Sequence, residues 1–157
     1  MDAPQARTIE RPEPMQALDT FETPDYTDAY EISIVAVEQR TAEQWVRAIF
    51  EDAPRWLVRF MMFGWRFGLL IRLTPAPEKV LGWDIVDATD KWIVLESRSP
   101  FLATHLITAV GDTTVIQSTS VRYDRRGAAV GWRPTVLLHR RILPYLVRHA
   151  VAQAPPR

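Results

Sequence analysis

The chain has 157 residues, no formal net charge, 47% hydrophobic residues and six Trp, which is enough for one domain with a substantial core. It contains no Cys, and this excludes disulfides, a thiolate nucleophile and a Cys-ligated zinc site. Charge is uneven: residues 1–28 hold seven acids against Arg7 and Arg11, and residues 122–157 hold eight Arg against Asp124 alone. The basic end has no nucleic-acid recognition motif and the acidic end is available to cover it, so no nucleic-acid partner is expected.

Residues 1–25 contain Pro4, Pro12, Pro14 and Pro24 and few large apolar side chains. Such a segment cannot offset its ordering entropy by burial, so a disordered N-terminal tail is expected, with a single domain over residues 26–154. Residues 1–27 lack a basic stretch followed by an apolar one and do not read as a secretory signal; a cytoplasmic location is the expectation. Residues 29–37 alternate, with Tyr30, Ile32 and Ile34 on one side, and predict a first strand.

Thr41 and Gln44 have the spacing of a capping box ahead of a short helix. Pro54 then restarts a second helix, because a first-turn residue needs no N–H. Trp56, Phe60, Phe63, Phe67 and Leu70 fall on one stripe of it, with Arg55, Arg59 and Arg66 on another side. Residues 55–73 are the longest apolar run, but Arg55, Arg59, Arg66 and Arg72 interrupt it. Each Arg near a bilayer centre costs about 2.5–3.5 kcal/mol, so no membrane span is expected.

Residues 80–86 and 91–97 read as two strands around an Asp87-Ala88-Thr89-Asp90 turn. Pairing Asp87 with Asp90 puts Trp83, Ile85, Trp92 and Val94 on one face, expected to be buried. Residues 102–110 and 113–123 make a longer hairpin about Gly111-Asp112. Its interior face then carries Leu102, Thr104, Leu106, Val110, Val115, Gln117, Thr119 and Val121, and its other face carries His105 opposite Ser118. Pro134 is expected to open the last helix, which turns Leu138, His139, Ile142, Leu146 and Ala150 to one side and Arg140, Arg141 and Arg148 to the other.

The segment Ser99-Pro100-Phe101-Leu102-Ala103-Thr104, the strand Thr119-Ser120-Val121-Arg122-Tyr123 and the opening Pro134-Thr135-Val136-Leu137-Leu138-His139-Arg140-Arg141 resemble the START-like, or polyketide-cyclase-like, superfamily. Within it the chain is most similar to a family of bacterial helix-grip domains without an assigned function. The resemblance implies an α+β helix-grip fold: a curved antiparallel sheet packed on a long C-terminal helix, with two shorter helices after the first strand, around an apolar cavity. Across the superfamily such cavities bind hydrophobic small molecules and sometimes support reactions on them. About five clear strands are legible here where larger members have seven, so the cavity is expected to be small or filled by aromatic side chains.

Three functions follow as expectations. The first is a binding module for a hydrophobic or amphipathic small molecule. Phe60, Phe63, Phe67, Trp83, Trp92, Leu106, Leu138 and Ile142 would form its apolar wall, and Thr104, Gln117, Thr119 and His139 would orient the ligand. The second is an acid/base enzyme, a cyclase, dehydratase or isomerase, with His139 as base; binding is favoured over catalysis. The third is an interaction domain with a filled core. His139 is alternatively a core residue tied to a backbone carbonyl, Thr104 or Thr119. His105 and Ser118 have the cross-strand spacing of a nucleophile and base but lack a nucleophile elbow and a third group. The three His are too scattered for a metal site, and no cofactor is expected. The aromatic stripe of the second helix reads as packing or cavity lining, or else as a surface for a homodimer, another partner or an anionic membrane.

Overall fold

A computed structural model describes residues 6–34 and 40–153. In chain order the elements are β1 (Arg7–Thr8), α1 (Glu13–Leu18), β2 (Tyr26–Ser33), α2 (Ala42–Phe50), α3 (Arg55–Phe63), a π-helical turn (Gly64–Gly68), β3 (Asp84–Ala88), β4 (Trp92–Arg98), β5 (Leu102–Val110), β6 (Thr114–Tyr123) and α4 (Ala128–Ala152). The strands form one curved, open, antiparallel sheet in the order β1-β2-β6-β5-β4-β3. The α+β class and the long C-terminal helix match the sequence reading. Among the described residues no helix is long and apolar enough to cross a membrane.

One face of the sheet carries the main core. Tyr30, Ile32 and Ile34, the residues expected to share a side of the first strand, are all in it; the last three residues of that expected strand, 35–37, lie outside the described residues. Thr41 caps α2 with the expected box, its hydroxyl accepting from the Gln44 amide at 3.2 Å while the Gln44 side chain accepts from the Thr41 amide at 2.9 Å. The helix thus begins where Trp45, Val46 and Ile49 all enter the core. It packs on α4 and on β4 and β5.

The expected tail is corrected for residues 6–25. Backbone pairing, which needs no apolar side chains, attaches β1 to the edge of β2, with Arg7 opposite Glu31 and Thr8 opposite Tyr30; the Arg7 and Glu31 side chains form an ion pair. Helix α1 then crosses the other face of the sheet, where Met15 is buried with Val94 and Ile107. Two apolar anchors, Met15 and Phe21, suffice because the remaining contacts are polar.

The short hairpin also departs from expectation. Ile85 pairs with Leu95, but Asp87 pairs with Val94, so the strand bulges between them. One extra residue reverses which β4 side chains share a face with Trp83 and Ile85. Ile93 and Leu95 therefore enter the main core. Val94 turns to Met15 on the opposite face, and Trp92 lies partly exposed with its indole N–H donating to Asp87 Oδ2 at 3.0 Å. In the long hairpin Val110 pairs with Val115, moving the turn to Asp112-Thr113. This displacement by two residues preserves both expected faces but sets His105 opposite Ser120 and Ser118 opposite Ile107.

Helix α4 begins six residues before Pro134, after Gly127 at φ 93°. Pro134 lies in the helix interior; the carbonyl it leaves without a bond belongs to exposed Val130, where water can satisfy it. The early start brings Trp132 into the core.

Candidate functional site

Between the sheet, α3, the π-helical turn and α4 lies a cavity of about 180 Å³. The sheet contributes Thr104, Leu106 and Thr119, and α4 contributes Trp132, Thr135, Leu138, His139, Ile142, Leu143 and Leu146. Phe60, Met61, Gly64, Trp65 and Gly68 bound it from α3 and the turn, and Trp83 closes another side. Gly64 and Gly68 are exposed residues of its rim, and a Cβ at either would meet nothing within 4 Å. Phe60 and Leu138 line the cavity and are also part-exposed, so its mouth lies between α3 and α4.

Eight of the twelve residues expected at the site are thereby brought together: Phe60, Trp83, Thr104, Leu106, Thr119, Leu138, His139 and Ile142. Four are not. Phe63 and Phe67 project into solvent, because the buried side of α3 is that of Leu57 and Met61. Trp92 is turned away by the β3 bulge. Gln117 is on the expected face and buried, but its Oε1 accepts from Thr108 Oγ1 at 2.6 Å within the sheet. Trp132, Trp65 and Thr135 are lining residues that the sequence reading passed over. Trp132 lay before the expected helix start at Pro134, and only an earlier start would have revealed it.

His139 sits at the cavity wall with its partners on the sheet. Its Nε2 lies 2.9 Å from Asp28 Oδ2 and 3.1 Å from Thr119 Oγ1. A carboxylate only accepts, so Nε2 carries the proton toward Asp28. The Tyr26 hydroxyl donates to the same oxygen at 2.7 Å and is approached by Arg140 Nε at 3.3 Å. Burial raises the Asp28 carboxyl, but the hydrogen bond and charge of His139, with Tyr26 and Thr119, outweigh it and hold the group below the usual carboxylate range. Burial and the neighbouring Asp28 push the Tyr26 phenol well above its ordinary value. The expectation of a Thr119 partner for His139 is thus met, with Asp28 added.

The wall also holds polar atoms with no protein partner. Thr104 Oγ1 and the indole Nε1 atoms of Trp83 and Trp132 are buried and unbonded among the described residues. A buried donor left unsatisfied costs about 1–3 kcal/mol.

A second titratable cluster lies on the opposite face of the sheet, under α1. His105 is buried between two carboxylates, Nδ1 at 2.9 Å from Asp19 Oδ1 and Nε2 at 2.9 Å from Glu96 Oε2. Only an imidazolium donates to both. The ring stacks on Phe21 with centroids 3.8 Å apart, and Arg11 pairs with Asp19 at 2.6 Å. Burial raises Asp19, yet hydrogen bonds from His105, the Phe21 amide and Arg11 hold it far below the usual range. The arrangement fastens the N-terminal segment to the sheet. It gives His105 no Ser118 partner, since that hydroxyl donates to the Asp28 carbonyl at 2.8 Å. Among the described residues no group of His, Asp and Glu has the arrangement of a metal site.

No protein-family model matches the chain, and no curated protein matches its sequence.

Proposed function

We propose that the chain is a cytoplasmic helix-grip domain of the START-like kind that binds a compact, largely apolar small molecule carrying a hydrogen-bond acceptor. The observation that carries this reading is the cavity itself: aromatic and aliphatic walls, with an unbonded Thr104 hydroxyl and two unbonded indole N–H groups among the lining residues. Apolar pockets with a few convergent polar groups are the ordinary form of ligand sites. At about 180 Å³ the space is smaller than the roughly 300 Å³ at which drug-sized pockets begin. It is comparable to a cavity of about 150 Å³ that accepts benzene. The buried part of the ligand is therefore a single ring or a short chain, and any longer portion leaves through the mouth beside Phe60 and Leu138.

Native mass spectrometry of the purified protein, searching for a co-purified small molecule, tests this together with two variants. Gly64 lines the cavity, has an ordinary helical φ of −60° and open space at its Cβ position, so Gly64→Leu adds bulk at the cavity's edge without backbone strain. It should keep or raise stability, by about 0.4–1 kcal/mol from the glycine replacement alone, while abolishing binding. Thr104→Val should weaken a ligand bearing an acceptor by roughly fivefold to tenfold and spare a pure hydrocarbon. Undiminished binding in Gly64→Leu would place the ligand elsewhere.

A second reading rests on the Asp28–His139 pair. A carboxylate that fixes an imidazole at the edge of an apolar cavity is the arrangement of an oriented acid or base. On that reading His139→Gln abolishes turnover of the bound molecule while leaving its binding intact.

A further inference from the structure

Helix α3 and the π-helical turn keep Trp65 against the core but direct Trp56, Phe63 and Phe67 away from it. Trp56 is 68% exposed, Phe63 64% and Phe67 61%, whereas Leu57 and Met61 on the other side of α3 are buried. Single exposed apolar residues are normal, but positions 56, 60, 63 and 67 recur at helical spacing and make a continuous ridge. Arg55, Arg59 and Arg66 are exposed beside it. Residues 55–73 contain no Asp or Glu, and Arg66 lies over the Phe67 ring at 5.9 Å.

We propose that this ridge docks on the surface of an anionic lipid bilayer, with the aromatic rings entering the interface and the arginines meeting the headgroups. Surface-lying helices combine these residue types: Trp and Phe on one side and basic residues beside them. Charge selects the bilayer over a second copy of the chain. A two-fold pairing of this face would bring its arginines against their own copies with no acid on the ridge to meet them. An anionic membrane supplies the missing charge across its whole surface. The proposal does not depend on the small-molecule reading, although Phe60 belongs both to the ridge and to the mouth of the cavity.

The test uses the full chain with phosphatidylcholine vesicles, with and without phosphatidylglycerol. Cosedimentation is expected only with the anionic vesicles, and added salt should weaken it. Tryptophan emission should shift to the blue on binding, and Trp56→Phe should remove most of that shift. The triple variant Arg55→Gln, Arg59→Gln, Arg66→Gln should bind about a hundredfold more weakly. The double variant Phe63→Ser, Phe67→Ser should lose binding, and both variants should melt as the parent does because the altered residues are exposed. Equal binding to the two vesicle types, or variants that bind as well as the parent, would overturn the proposal. So would a concentration-dependent dimer abolished by Phe63→Ser, Phe67→Ser, or capture of polyglutamate, without vesicle binding; these would assign the ridge to a second copy or to an acidic protein.

Discussion

His139 belongs at once to the cavity wall and to a hydrogen-bond chain that ends on a buried carboxylate, and the two roles separate on mutation. Removing the imidazole leaves Asp28 with Tyr26 and Thr119 as its remaining side-chain donors. Breaking a buried pair by taking one partner costs about 3–5 kcal/mol. We expect His139→Ala to lose about 3 kcal/mol in urea unfolding, and Asp28→Asn in the His139→Ala background to recover part of it. A double-mutant cycle measures that coupling; strictly additive losses would mean the pair contributes nothing of its own. The inward direction of His139 was legible because a helix repeats every 3.6 residues, and Leu138, Ile142 and Leu146 fix its apolar side. Asp28 was not legible as its partner, since nothing local in sequence links a residue on β2 to one on α4. Trp92 shows the opposite limit. Its face depended on one bulged residue in β3, and a period of two reverses on any shift by one.

Helix α1 and strand β1 are the elements that composition misjudged. Low apolar content argues against an independent core, but a segment pairing with an existing sheet edge and burying two side chains needs none. The order of residues 6–25 depends on the rest of the sheet. Deleting residues 1–24 is therefore expected to be costly. It uncovers Val94 and Ile107, removes Phe21 from the His105 ring and strips Asp19 from His105. A loss of about 4 kcal/mol should lower the melting temperature by about 10 °C or more, whereas a mobile tail would leave the melt unchanged. Calorimetry of the full and shortened chains distinguishes the two. The capping box of α2 and the two faces of the long hairpin were legible because each is set by close neighbours, and a register displaced by two residues keeps the same faces. The start of α4 was not, because Pro134 is a strong local signal for a first turn and tertiary packing of Trp132 overrides it.

At the scale of the molecule, both faces of the sheet are fastened through ionisable groups whose folded states differ from their unfolded ones, so stability must depend on pH at both extremes. Asp19, Asp28 and Glu96 are held below their ordinary values. In each case burial raises the carboxyl, and the donors around it outweigh burial. A lowered folded pKa means the unfolded chain takes up protons first as pH falls. Their contribution is complete above the ordinary carboxylate value near 4 and is lost as pH drops through the folded values. Tyr30 works in the other direction. Burial, and then the charge of Asp28, push it up from 10.0 to about 12, so its contribution is complete below pH 10 and is lost as pH rises toward 12. The free energy of urea unfolding should therefore fall along an acid limb and along an alkaline limb. Asp19→Asn should lower stability at neutral pH, because His105 and Arg11 lose an ionised partner, and should flatten the acid limb while leaving the alkaline one in place. Tyr30→Phe should make the alkaline limb shallower without abolishing it, because the Tyr26 phenol is raised as well, and should leave the acid limb in place. An acid limb as steep in Asp19→Asn and Asp28→Asn as in the parent would show that these carboxylates carry none of the linkage. The fastening of the N-terminal segment would then have to rest on Met15, Phe21 and the pairing of β1 with β2.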